Sequence, residues 1–230
     1  MKIRALGALA ALTGAMFAAN AAGAATYDAV SDFSIANNPN GPWSYEYTGG
    51  QLSDHFTLGA DTQFWWDGQQ IPNAVSVGKN LSGMDDSYET IVLPANTLAL
   101  DPESQSVWVA FTAPTSGTYV ITGAFYGIDS GENAHPVSIL DGANTIYSSS
   151  VSSFGQSEAF GLSEFLSAGD VIAFQVGTGS TGCSYCNLST GLTATITTAV
   201  PEASTWVMMA AGFAALGFMG YRGARKTVRA

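Results

Sequence analysis

Between Val107 and Thr197 apolar side chains recur at every second position, a period that suits a β-strand and not a helix. Val107, Val109 and Phe111 alternate with Trp108 and Ala110. Tyr119, Ile121 and Phe125 share one face after the turn at Pro114-Thr115-Ser116-Gly117. Val137 and Ile139 run into Asp141-Gly142-Ala143-Asn144, which reads as a hairpin turn, and Thr145-Ile146-Tyr147 leaves it. Ile172, Phe174 and Val176 repeat the pattern, as do Leu192, Ala194 and Ile196 with Thr193, Thr195 and Thr197 between and after them. One apolar face and one Ser/Thr-rich face per strand belong to antiparallel sheets wet on one side. Short strands separated by Gly-rich turns therefore predict an all-β fold, an antiparallel β-sandwich of jelly-roll type. No internal repeat is evident, and a helical period is absent outside the two ends.

The ends are built differently. Lys2 and Arg4 precede an uncharged apolar stretch over residues 5–19, and Asn20-Ala21-Ala22-Gly23-Ala24-Ala25 follows. A positive start, an apolar run and small residues at −3 and −1 predict a signal peptide over residues 1–25, cut after Ala25 or Ala24. At the other end Val200-Pro201-Glu202 leads into an uncharged segment, and Arg222, Arg225, Lys226 and Arg229 close the chain. Residues 206–221 would span about 24 Å as a helix, against about 30 Å of hydrocarbon, with Trp206 and Tyr221 at interfacial positions. Val207-Met208-Met209-Ala210-Ala211 offers no polar face, so this is not a helix of a soluble core. The basic tail belongs in the cytoplasm and puts the main body outside.

A short motif, an apolar helix and an Arg cluster in that order resemble the PEP-CTERM sorting signal of exopolysaccharide-producing Gram-negative bacteria, here over residues 200–230. Ala203 stands where that family has its second proline. The resemblance implies a membrane enzyme, exosortase, as the processing partner. It also implies delivery to the cell envelope or extracellular matrix, with the C-terminal helix either removed or kept as an anchor. Within the intervening β-sandwich domain, residues 26–199, the segment from Gly117 through Thr197 also has a familiar cast. Ser116-Gly117-Thr118-Tyr119-Val120, Ala168-Gly169-Asp170-Val171-Ile172 and Thr190-Gly191-Leu192 look like the β-sandwich modules of exported PEP-CTERM proteins and of carbohydrate-binding domains.

Without its ends the chain is strongly acidic. Residues 26–199 hold one base, Lys79, and 17 of the 18 acids, a balance of −16. Nucleic acid is excluded as a partner, because phosphate binding needs clustered Lys and Arg.

The chemistry-bearing residues are few. His55 and His135 are the whole supply of imidazole, and no Gly-x-Ser-x-Gly elbow supports a triad. His135, before Pro136 in a Gly/Asn-rich stretch, is expected in a solvated turn. Asp85, Asp86 and Glu89 form the densest acidic group and are the candidate calcium ligands, calcium being the one cofactor the sequence suggests; the alternative is a solvated acidic loop. The same carboxylates are candidates for an acid/base pair in polysaccharide hydrolysis. Cys183 and Cys186, in an exported chain, predict a disulfide pinning a loop.

Aromatic residues suggest a binding role. In Phe64-Trp65-Trp66 neighbouring side chains on a strand point to opposite faces, so Trp65 and Trp66 cannot both enter one core. An exposed indole beside Asp67, Gln69 and Gln70 has what stacking on a sugar requires. Trp43, Tyr45 and Tyr47 form a second row, expected to fill the core and its rim. The expected role is non-enzymatic: matrix structure, adhesion or polysaccharide binding. Polysaccharide hydrolysis and a purely structural surface role are the alternatives.

Overall fold

A computed structural model of the chain describes residues 23–59, 61–69, 74–103, 105–178, 187–199, 209–210 and 212–217. Ala24–Ala199 forms one compact unit, which carries every strand of the described residues. The chain outside it is a separate unit, in which Met209–Ala210 and Gly212–Gly217 are helical. Among the described residues no helix is long and apolar enough to cross a membrane. The predicted signal peptide up to Ala22, the sorting residues Val200, Pro201, Glu202, Arg222, Arg225, Lys226 and Arg229, and both Cys183 and Cys186 lie outside the described residues.

The strands are β1 (Thr26–Asp28), β2 (Trp43–Tyr47), β3 (Gly50–Gln51), β4 (Asp54–Leu58), β5 (Thr62–Trp66), β6 (Ser76–Asn80), β7 (Asp86–Tyr88), β8 (Ile91–Leu93), β9 (Leu98–Asp101), β10 (Val107–Thr112), β11 (Gly117–Gly127), β12 (His135–Asp141), β13 (Asn144–Val151), β14 (Ser157–Leu166), β15 (Val171–Val176) and β16 (Thr190–Thr198). One sheet runs β14-β11-β16-β9-β6-β5-β4, with β1 also paired to β16; the second runs β13-β12-β15-β10-β2-β3; β7 and β8 form a hairpin of their own. Every named pairing is antiparallel.

Strands β9 to β16 by themselves make a jelly roll. Counted in chain order, the first, eighth, third and sixth are neighbours in one sheet; the second, seventh, fourth and fifth are neighbours in the other. The earlier strands extend this frame. β2 and β3 widen one sheet beyond β10, and β6, β5 and β4 widen the other beyond β9.

The alternation in the sequence puts its apolar set between the sheets. Val107, Val109, Phe111, Tyr119, Ile121, Phe125, Ile172, Phe174, Val176, Leu192, Ala194 and Ile196 are all buried in one core, together with Trp43 and Tyr45 from β2. Phe111 is its hub, with ring centroids 5.2 Å from Trp43, 5.8 Å from Tyr119 and 5.1 Å from Tyr27. Each such side chain stabilises the fold by about 1.5–3 kcal/mol relative to exposure. Between β12 and β13, Gly142 takes φ 56° at the first position of a two-residue loop, where a side chain would be strained. The two ends of the domain meet, because Thr198 N donates to Ala25 O at 2.9 Å and Ala25 N to Thr198 Oγ1 at 2.8 Å.

Candidate functional site

The extension made by β4, β5 and β6 carries a pattern on its outer face, away from the sandwich core. Cross-strand register sets two rows there. Phe56, Phe64, Gly78 and Ala99 are successive partners across β4, β5, β6 and β9; Asp54, Trp66, Ser76 and Asp101 are the row beside them. Aromatic side chains therefore sit on the outer two strands, small residues on β6, and a carboxyl on β9. The rings of Phe56 and Phe64 stack at 4.9 Å and 12°, and Trp66 meets Phe56 edge-on at 5.3 Å. Phe64 lies over the backbone of Gly78, where any Cβ would collide with its ring.

Over this face the β7–β8 hairpin forms a wall. Asn80 holds it: its Nδ2 donates to Met84 O at 2.7 Å and Leu93 O at 2.9 Å, and its Oδ1 accepts from Ser82 N at 2.9 Å. At 1% exposure Asn80 is no glycan acceptor in the folded domain, although Asn80-Leu81-Ser82 matches the N-glycosylation pattern. Val92 N donates to Ile128 O at 2.8 Å and Ser130 N to Thr90 O at 2.8 Å, tying the hairpin to the segment after β11. Leu93, Ala99 and Ile128 form a second small core beneath it, with Phe64, Ile91 and Tyr126 packed against them.

Hairpin and sheet enclose a cleft of about 430 Å³. Its aromatic side is Phe56, Phe64 and Trp66 with Leu58; Tyr88, Glu89, Ile91 and Leu93 face in from the hairpin; Ser76, Ala99, Asp101, Glu103 and Ser189 complete the lining with Ala74. Glu89 sits at the hairpin tip with φ 53°. Burial pushes the carboxyl of Asp101 up to about 7, and the negative charges of Glu103 and Asp129 add to the rise; the backbone N–H of Glu103 and the hydroxyl of Ser189 oppose it.

Behind Asp101 lies a buried polar group. Asp129 accepts from Thr90 Oγ1 at 3.1 Å and from Gly131 N at 2.8 Å, while its own N–H donates to Glu132 Oε2 at 3.1 Å. Burial raises Glu132 to about 8, with Asp129 and Asp101 adding to the rise. Its Oε1 is enclosed without a hydrogen bond, 3.5 Å from His135 Nδ1. His135 corrects the expectation of a solvated turn: it opens β12, is 1% exposed, and bonds Thr190 Oγ1 at 2.6 Å and Asn133 O at 2.8 Å. A following proline suits the first residues of a strand as well as a turn, so the local signal did not separate the two. Burial lowers the basicity of the ring.

The residues singled out in the sequence are divided by the structure. Trp65 and Trp66 do point to opposite faces. Trp65 is 4% exposed, stacked on Tyr45, and its Nε1 donates to Ser34 O at 2.8 Å; it is a core residue and no ligand platform. Trp66 lines the cleft. Asp67 does not: one carboxylate oxygen accepts from Gln69 N at 3.0 Å and the other is enclosed without a partner. Gln69 is exposed outside the cleft, and Gln70 lies outside the described residues. Trp43 and Tyr45 are fully buried, with Tyr47 packed at the core rim. Asp85 and Asp86 are exposed at the far end of the hairpin from Glu89, and Asp85 Oδ1 accepts from Ala95 N at 3.3 Å. The three are not drawn together, and no group of three His, Cys, Asp or Glu side chains among the described residues is arranged to hold a metal. Phe56, Tyr88, Asp101, Glu103 and Ser189 were missed. The one available signal was the two-residue spacing of Phe56 with Leu58 and of Phe64 with Trp66, an apolar stripe on the face that the core does not use.

No known protein family matches the chain, and neither does any curated protein. Several solved structures share part of its chain trace. A family 35 carbohydrate-binding module from Clostridium thermocellum is 13% identical, covers 49% of this chain and 85% of its own, and has a TM-score of 0.31. TmCBM61, solved with β-1,4-galactotriose, is 13% identical over 67% of this chain and 87% of its own, with a TM-score of 0.34. The K2 cleaved adhesin domain of Lys-gingipain is 12% identical over 76% and 99%, with a TM-score of 0.37. Likeness at this level carries no inference about ligands, and the jelly roll rests on the strand order given above.

Proposed function

We propose that the domain is a non-catalytic glycan-binding module, in which the cleft takes a sugar ring against Trp66 and its neighbours. The observation that carries this reading is the aromatic group Phe56, Phe64 and Trp66, which lines an open cleft instead of joining the sandwich core. A pyranose presents C–H groups on one face and hydroxyls around its rim. The first gain from leaving water for an aromatic surface, and the second need acceptors, which Asp101, Glu103, Glu89 and Ser189 supply at the same cleft. Affinity electrophoresis through gels containing soluble polysaccharides tests this: W66A should lose the retardation that the wild type shows. Equal retardation of both would sink the proposal.

The export reading rests on the sequence. Residues 1–25 act as signal peptide, and residues 200–230 act as a PEP-CTERM sorting signal handled by exosortase, which delivers the module to the envelope or polysaccharide matrix. Intact mass of the protein from an exosortase-bearing Gram-negative host reads both events. The expected species starts near Thr26 and lacks Arg222, Arg225, Lys226 and Arg229; a membrane species ending at Ala230 would overturn the processing step.

One observation favours a second reading, a polysaccharide hydrolase. Asp101, held protonated up to about 7, faces the same cleft as Glu89, and glycoside hydrolysis pairs a raised acid with a second carboxylate. That reading predicts release of reducing ends, abolished in D101N. Binding without turnover supports the module.

A further inference from the structure

We infer that the cleft selects sugars carrying a free ammonium group, the amino-sugar residues of a de-N-acetylated polysaccharide, over neutral or acidic sugars. The inference rests on the glycan-binding reading above and adds the charge of the ligand.

Three carboxyl side chains line the cleft, Glu89, Asp101 and Glu103, and among the described residues no Lys, Arg or His does so. Among the described residues the basic side chains of residues 26–199 are engaged elsewhere in the fold. Lys79, the sole base of residues 26–199, donates from Nζ to Val30 O on the other face of β6. His55 packs edge-on against Trp65, on the face opposite Trp66. His135 is buried behind, against Glu132. The cleft is thus apolar at one end and anionic at the other.

The register fixes the spacing between those ends. Trp66, Ser76 and Asp101 are partners on three adjacent strands, so the indole and the carboxyl stand about two strand spacings apart, about 10 Å. Ser76 between them is short, and a pyranose fits over it with its flat face towards Trp66 and a ring substituent towards Asp101. Each candidate substituent meets different chemistry. A hydroxyl donates to the carboxylate but leaves its charge uncompensated. A uronate carboxylate adds repulsion, and an acetamido group brings bulk without charge. An ammonium both donates and neutralises, in a site where partial burial keeps water and salt from screening the pair. Burial raises the proton affinity of Asp101, and the charges of Glu103 and Asp129 add to it.

The test compares hexamers of β-1,4-linked glucosamine, the same hexamer fully N-acetylated, a neutral glucan hexamer and a uronate hexamer, by calorimetry with the full domain. The expected result is at least tenfold tighter binding of the glucosamine hexamer than of its N-acetylated twin. That preference should shrink several-fold in D101N and in E89Q, fall as salt is added, and disappear with W66A along with binding itself. E89Q lies at an exposed hairpin tip and keeps the test open should D101N unfold. Equal affinity for the neutral hexamers, still abolished by W66A, would overturn the ammonium inference and leave the glycan reading intact. Glucosamine binding unaffected by W66A would show a bare charge interaction and would overturn both. Binding of none of the four would also overturn both.

Discussion

Replacing Asn80 by Ala removes the clamp between the hairpin and the sheet. Asn80 makes three hydrogen bonds, two of them as donor to the carbonyls of Met84 and Leu93, and the bond to Leu93 O is buried. A hydrogen bond contributes about 0.5–1.5 kcal/mol net, and an enclosed unpaired partner costs about 1–3 kcal/mol. Leu93 O loses its partner in a dry site while Met84 O, in an exposed segment, is rehydrated. The expected loss is therefore about 2–4 kcal/mol. For a domain of this size that lowers Tm by about 4–16 °C. Asn80→Asp should cost more than Asn80→Ala, because a carboxylate cannot donate and brings its charge against two carbonyl oxygens. Calorimetric melting together with amide exchange separates global from local loss. If the hairpin opens by itself, Val92 and Ser130 amides exchange at least tenfold faster while the amides of β11 and β16 keep their protection. Unchanged melting and unchanged exchange at both amides would refute the clamp. Ligand affinity should fall with either substitution, since Tyr88 and Glu89 line the cleft from that hairpin.

Trp65→Ala should cost about 3–5 kcal/mol, the range for truncating a core aromatic, whereas Trp66→Ala should cost about 1 kcal/mol or less; equal destabilisation in urea titrations would contradict the assignment of the two faces. The buried acids give a stability slope with a definite sign. Asp101 and Glu132 have folded pKa values above their unfolded ones, so the folded state holds more protons and their contribution is lost as pH rises through about 7 and about 8. His135, buried and less basic, works in the opposite sense, but only below its ordinary value of about 6.5. Between about 6.5 and 8 stability should fall with pH, and E132Q should flatten that slope; a wild-type Tm that rises across the window would contradict it. Ligand binding that ionises Asp101 should release protons, seen as a dependence of the calorimetric heat on buffer ionisation enthalpy with the glucosamine hexamer and none with the neutral glucan.

Much of the sandwich was legible because each strand declares its own inner face. Ile172, Phe174 and Val176, or Leu192, Ala194 and Ile196, need no partner to be recognised as one side of a sheet, and burial followed in every case. The adjacency of Trp65 and Trp66 likewise forced one of them out of the core. It did not say which, because that depends on whether β5 offers its odd or its even residues to the second sheet. His135 escaped for a related reason. Its neighbours, Gly131, Asn133 and Pro136, are residue types common in loops, and its burial comes from Thr190 and Glu132, one of them 55 positions away.

By itself the sequence determined the all-β class, the two-residue period of the core strands and the acidity of the domain, because each is written in residues close along the chain. Only the tertiary structure decided which residues line the cleft. Phe56, Trp66, Glu89 and Asp101 belong to four different elements, and their convergence depends on strand register and on Asn80 holding a hairpin over the sheet. Register is a relation between strands, so no local pattern encodes it.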